Sequence, residues 1–330
     1  MKKFFVRLVI FLVIFFLVDQ ALSKILDIGR PPDYKAFIES KSEYNSESGF
    51  DILFIGDSQT ADNFVPAVFE EKLGYSAFNF GVYNMSPFEG YYLTKDLIER
   101  SSPKPKLVVL GTEVNMFYFM VSDGRFTPFF IENPLNLIPL LIKSDSFESF
   151  TSAGRKGYLF KPTLKKILTG KTSGTVDRDV VGVDNGYLKN IKHFSNYAKL
   201  TNCTKNWAFL SNEFVQVQKD YFIKTIEYLR KKDIKVVFAN TPMHPAYLEC
   251  FKSKPRFDEY KKIMEDLSET YGIEQYNPDY EVLLGEFEDE DFLNGDHLCY
   301  SGAKIFSSVF ADYLNENIFS QIKQSFAVSK

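Results

Sequence analysis

Three short segments constrain this chain more than anything else in it. Ile52–Ile55, Ala77–Phe80 and Leu107–Leu110 are almost wholly apolar, and each runs straight into a glycine, Gly56, Gly81 or Gly111. A strand with no polar alternation is buried on both faces, and such strands belong to parallel sheets covered by helices on either side. The intervening segments support this. Pro66 opens a helix through Leu73, which Gly74 ends. Pro87 opens another to about Arg100, stopped by Ser101-Ser102-Pro103. After a break, 212–232 spaces Phe214, Val217, Tyr221 and Ile226 for one helix face, and Ile234–Ala239 is a fourth strand. A helix over 256–271, a short fifth strand at Ile273–Tyr276 and a last helix from Ser301 to about Asn317 complete the order. Ser301 is the expected cap of that helix. The expected fold is α/β, a doubly wound, flavodoxin-like three-layer sandwich with a mainly parallel sheet of about five strands.

The regions outside this rhythm set the domain plan. Lys2, Lys3 and Arg7 precede an apolar block, and residues 4–22 approach the length of a bilayer span. Basic residues at the start place that end in the cytoplasm and the body outside it. The alternative is a signal cleaved near Ala21-Leu22-Ser23, leaving a secreted or periplasmic protein. The plan is therefore an anchor or signal at 1–23, a linker at 24–49, one α/β domain at 50–320 with an insertion at about 115–205, and a tail at 321–330. His193 falls in the insertion and reads as a surface residue. Glu89 and the run Glu286–Asp291 read as solvated faces.

Composition narrows the function classes. Net charge is −4, which gives no bulk support to nucleic-acid binding. The three cysteines, Cys203, Cys250 and Cys299, form no CxxC pair, so no metal site is expected, and no sequence feature calls for a cofactor. One disulfide plus a free thiol, or three thiols, both fit. Aromatic residues make up 16%, enough to line a cleft as well as fill a core.

In open parallel sheets, ligands bind beyond the carboxyl ends of the strands. The loops there carry Gly56-Asp57-Ser58, Gly81-Val82-Tyr83-Asn84, Gly111-Thr112-Glu113-Val114-Asn115 and His244, while Asp296-His297 precedes the last helix. A serine hydroxyl needs an adjacent base to act as a nucleophile, and histidine has the appropriate pKa. Ser58 and His297 are the candidate pair. Asp57, Asn84, Thr112, Glu113 and His244 are candidates for substrate contact or for supporting the pair.

These blocks resemble the SGNH/GDSL hydrolase superfamily over about 51–115 and 206–317. Ser58 stands in the nucleophile's place, with Gln59 where the narrower pattern has Leu. Asn79-Phe80-Gly81 is similar to the Asn-x-Gly segment whose glycine N–H helps bind the oxyanion. Asp296-His297-Leu298 with Gly302-Ala303 is similar to the histidine block. The chain departs from the family twice. Asn294 replaces the usual acidic residue three positions before the histidine, leaving Asp296 or Asn294 to orient His297. Glu113 replaces an oxyanion-binding Asn, and an ionised carboxylate would repel the oxyanion. The resemblance then implies an oxyanion hole of the Ser58 and Gly81 N–H groups, with Asn115 or Thr112 as the candidate side-chain donor. It further implies an anchored, exported O-acyltransferase or esterase acting on a cell-envelope polysaccharide, in some relatives beside a membrane-bound acyltransferase. Two other readings stand beside it: a catalytically impaired module that binds glycan or partner, and a secreted small-ester esterase or lipase.

Overall fold

The computed structural model describes residues 2–27, 32–44, 49–118, 127–143, 160–169, 180–190, 212–277 and 287–320. In chain order the elements are α1 (Lys2–Asp27), α2 (Pro32–Ser42), β1 (Ile52–Gly56), α3 (Ser58–Asn63), α4 (Pro66–Leu73), β2 (Ala77–Gly81), α5 (Pro87–Arg100), β3 (Leu107–Thr112), α6 (Pro134–Lys143) and α7 (Phe160–Thr169). There follow β4 (Val180–Asp184), β5 (Tyr187–Asn190), α8 (Val215–Arg230), β6 (Lys235–Asn240), α9 (Pro245–Lys252), α10 (Pro255–Tyr271), β7 (Glu274–Tyr276) and α11 (Tyr300–Leu314).

The main sheet has five parallel strands in the order β2-β1-β3-β6-β7. Counting only its own strands, this is 2-1-3-4-5, the doubly wound order whose direction of winding reverses between the first and third strands. Side chains alternate between its two faces. Leu53, Ile55, Val108, Leu110, Val236 and Phe238 face one core, which α5, α8 and α10 close. Ile52, Phe54, Leu107, Val109, Val237 and Ala239 face the other, closed by α4 and α11. Both faces are dry, which is why the strand sequences show no polar alternation.

Some expectations change. Within the segment read as a linker, α1 continues to Asp27, and α2 buries Phe37, Ser40 and Lys41. Lys41 Nζ donates to the carbonyl oxygens of Asn79 and Gly186, each at 2.6 Å. Complete burial lowers its pKa to about 7, against a smaller opposing pull from Asp62. Glu89 is not solvated but buried, and forms a capping box with Ser86 at the start of α5. Within Glu286–Asp291, the Asp291 carboxylate accepts from the Glu288 N–H and from Ser301 Oγ. Ser301 therefore caps nothing; Cys299 holds the cap position of α11, without a side-chain bond. Inside the 115–205 region the structure shows α6, α7 and the antiparallel pair β4–β5. His193 lies outside the described residues. Cys250 is disulfide-bonded, and Cys299 is a buried free thiol.

Candidate active site

The three strand-end glycines have one physical reason. Helix α3 lies directly across the carboxyl ends of the strands. A Cβ on Gly56 would come within 2.0 Å of Thr60 Oγ1, and one on Gly111 within 1.9 Å of the same atom. A Cβ on Gly81 would come within 2.2 Å of the Ala61 backbone nitrogen. No side chain fits between the sheet and this helix at these three positions, so each carries hydrogen rather than methyl. Six residues with no apolar stripe, Ser58-Gln59-Thr60-Ala61-Asp62-Asn63, are held there by polar contacts from elsewhere. Asn79 Nδ2 donates to the Thr60 and Phe64 carbonyls, each at 2.8 Å. Asp57 caps the helix, accepting the Gln59 N–H at 3.0 Å. Ser58 is the first helical residue and half-buried. Its N–H therefore has no carbonyl partner within the helix.

The same helix carries the histidine loop. Asn63 Oδ1 accepts the Leu298 N–H at 2.9 Å, so the residue following His297 is tied to the end of the helix that Ser58 begins. Ser307 of α11 reinforces the join, with its Oγ accepting from the Val65 N–H at 2.8 Å. The loop closes on itself through a Phe292–Leu298 bridge and a Leu293 N–H bond to the His297 carbonyl at 2.8 Å. His244 pins its tip, donating its backbone N–H to Gly295 O at 2.9 Å.

Both candidates for orienting His297 reach it. Nδ1 lies 2.8 Å from Asp296 Oδ1 and 3.0 Å from Asn294 Oδ1. Asn294 Oδ1 also accepts the backbone N–H groups of Asp296 and His297, each at 3.0 Å, which fixes that amide with its oxygen inward. Two acceptors facing Nδ1 hold the neutral ring's proton there and leave the lone pair on Nε2. Asn294 sets the turn and the tautomer; Asp296 adds the negative charge.

The oxyanion side differs from expectation. The Gly81 N–H donates to Asn79 Oδ1 at 2.9 Å and so is engaged inside the fold. Asn115 is buried and its Oδ1 makes no hydrogen bond. Thr112 points its hydroxyl to Asn240 on β6. Asn84 is exposed, in the left-handed region at φ 59°. Glu113 is fully buried. Burial and the neighbouring Asp57 and Asp296 carboxylates push its carboxyl well above the usual range. Asp57 is also raised, chiefly by burial, and less so because Glu113 and His297 favour its charged form. Of the two carboxyls, Glu113 is the one pushed further towards its protonated form. That shift works against the repulsive charge expected at this position. Beneath the pair is a cavity of about 40 Å³, walled by Ile55, Met85, Leu110, Met116 and Phe222 among others.

Two contributors carry no motif of their own. Gln59 Nε2 donates to Glu113 Oε2 at 3.2 Å, while its Oε1 accepts from Thr241 Oγ1 at 2.6 Å, so it ties the acid pair to the loop after β6. The only hint was Gln59 itself, a buried amide in place of leucine. Asp289 lies 2.9 Å from His244 Nε2. His244 Nδ1 accepts the Ala246 N–H at 3.2 Å, so Nε2 carries the proton and His244 serves as a strut. Among the described residues no cluster of His, Cys, Asp and Glu could hold a metal ion.

A family model matches residues 192–319, less than half of the chain. No curated protein matches the sequence. Among solved structures, a GDSL-like lipase from Bacteroides thetaiotaomicron VPI-5482 is similar at 11% identity and TM-score 0.38, covering 86% of this chain and 98% of its own. A mutant of the esterase AlinE4 is similar at 13% identity and TM-score 0.36, covering 81% of this chain and 95% of its own. At these scores the likeness adds no weight to what the residues themselves show: a five-stranded parallel sheet with Ser58 and the His297 loop joined through one helix.

Proposed function

We propose that the chain is a membrane-anchored, exported serine enzyme of the SGNH type that moves an acyl group on or off a cell-envelope polysaccharide, with Ser58 as nucleophile and His297 as base. The observation that carries this reading is the bond from Leu298 N–H to Asn63 Oδ1, which ties the histidine loop to the helix starting at Ser58. His297 Nε2 takes the Ser58 Oγ proton as the oxygen attacks the ester carbonyl. The carbon–oxygen bond to the leaving alcohol breaks, and the alcohol receives that proton. Water (hydrolysis) or a sugar hydroxyl (transfer) then gives a proton to Nε2 as it attacks the acyl carbon; the bond to Ser58 Oγ breaks, and Nε2 returns that proton to Oγ. In this reading the Ser58 N–H, at the helix start and without a helical carbonyl partner, receives the developing oxyanion charge.

The membrane part of the reading rests on α1, whose span Lys2–Leu26 contains an 18-residue stretch of mean hydropathy 2.4. Basic residues before the span favour an extracytoplasmic body. A disulfide at Cys250 fits an oxidising compartment. Hydrolysis of an aryl acetate by wild type, lost in Ser58→Ala, supports the enzyme; equal rates in both remove Ser58 from the chemistry. The mass of the mature protein separates anchor from cleaved leader.

A second reading, a glycan-binding module without catalysis, is favoured by the engagement of the Gly81 N–H with Asn79. It predicts glycan binding by folded wild type with no ester turnover. A secreted small-ester hydrolase differs from both in lacking residues 1–23 when mature. A membrane-bound acyltransferase remains the candidate partner under the transferase reading.

A further inference from the structure

Helix α7 lies outside the candidate active site, and it is tied to the end of α1. Thr163 is buried, and its Oγ1 donates to Leu26 O at 2.9 Å. The lower part of α1 also buries Asp19 and Ser23, while Phe11, Phe16 and Leu17 above are 58–65% exposed. Beside Thr163, α7 shows an aliphatic stripe: Leu164, Ile167 and Leu168 are 46%, 57% and 73% exposed. Their i, i+3, i+4 spacing puts them on one face. Lys165, exposed, and Lys166, half-buried, flank that stripe.

The level of α7 follows from helix geometry. At 1.5 Å per residue, residues 4–22 span about 28 Å, close to the hydrocarbon thickness of a bilayer. Leu26 then lies about 6 Å beyond it, within the headgroup layer. A short helix with an aliphatic face and flanking lysines at that depth has the character of an interfacial helix.

We propose that α7 is a second membrane contact. It lies in the plane of the outer membrane–water interface beside the end of α1, with Leu164, Ile167 and Leu168 turned to the acyl chains and Lys165 and Lys166 at lipid phosphates. The anchored body is thereby held at a fixed height and orientation instead of swinging on a tether. This rests on α1 spanning the membrane, and the test separates the two claims.

The full chain is placed in vesicles of phosphatidylcholine with phosphatidylglycerol, with Trp207→Phe removing the native tryptophan. Tryptophan is introduced singly by Leu12→Trp or Leu168→Trp, both at exposed positions, and lipids brominated on their acyl chains serve as quencher. Quenching of about twofold or more at both positions is expected. Quenching at position 12 but not 168 overturns the second contact and leaves the anchor standing. No quenching at either position overturns both. Deeper quenching at 168 with phosphatidylglycerol than with phosphatidylcholine alone supports the lysine contacts, and equal quenching overturns them. The vesicles contain no other protein, so a protein partner covering α7 in cells would appear as absent quenching at 168.

Discussion

The two sides of the candidate site depart in different ways from the motif pattern that the sequence resembles. On the histidine side, Asn294 replaces a carboxylate, but the function of that carboxylate is split between neighbours. Asn294 keeps the turn and the Nδ1 acceptor, and Asp296, at 2.8 Å, supplies the charge. On the side expected to bind an oxyanion, Glu113 stands where the pattern has an amide, and burial beside Asp57 pushes its carboxyl pKa well above the usual range. One side compensates by geometry, the other by electrostatics. A substitution that looks damaging in a motif can be neutralised by what packs against it.

Asp296→Asn tests the histidine side and carries the largest expected effect after loss of the nucleophile. The Asn294 amide still fixes the tautomer, so ester turnover falls between about 10²- and 10⁴-fold, without loss of Tm. Adding Asn294→Asp returns a charge to Nδ1 and recovers at least about tenfold. Unchanged turnover in Asp296→Asn would break the division of labour drawn above.

Gly81→Ala probes the platform both sides share. The methyl meets backbone 2.2 Å away, so α3 must lift. The expected cost is about 2–5 kcal/mol in urea unfolding. A variant as stable as wild type means α3 does not lie on the strand ends.

Glu113→Gln sharpens the oxyanion side through pH. Glu113 has a folded pKa raised above its unfolded value, so its contribution to stability is full below about 4.5, the ordinary glutamate value, and is lost as pH rises towards the folded pKa. Each pH unit in that window costs up to about 1.4 kcal/mol. The glutamine can donate to Asp57 and accept from Gln59 at every pH. Thermal melts should therefore show the variant gaining on wild type from pH 5 upward, with little difference at pH 4. Parallel profiles mean that Glu113 is ionised in the folded protein.

Lys41→Met gives the smallest expected effect. It leaves the Asn79 carbonyl without its side-chain donor and the Gly186 carbonyl with only Ser40 Oγ at 3.4 Å, at a cost of about 1–3 kcal/mol. Because the folded pKa of Lys41 is about 7 against 10.5 unfolded, wild type gains stability as pH rises from 7 to 10 relative to Lys41→Met. A constant difference across that range would place the Lys41 ammonium in water.

What was legible in the sequence was whatever is encoded locally. The strands ending at Gly56, Gly81 and Gly111, and helices α4, α5 and α10, are marked by apolar runs, prolines and glycines within a few residues of their ends. Helix α3 was not legible, because Ser58–Asn63 has no apolar period and its supports, Asn79 and the Leu298 N–H, come from β2 and from 235 positions away. Glu89 and Asp291 were misjudged, and Lys41 went unread within 24–49, because charge alone does not reveal a capping box or a pair of waiting carbonyls. In the site, Ser58 and His297 stood out by motif, whereas Gln59 and Asn63 act through long-range amide bonds that leave no local pattern.

The central claim is that the Ser58 hydroxyl is activated by His297. It is tested most directly by treating the folded full chain with a fluorophosphonate and locating the adduct by peptide mass spectrometry. The account predicts one adduct, on the peptide containing Ser58, absent in Ser58→Ala and slowed by at least about 10³-fold in His297→Ala. Folded wild type without an adduct, or labelling at the same rate after His297→Ala, would contradict it.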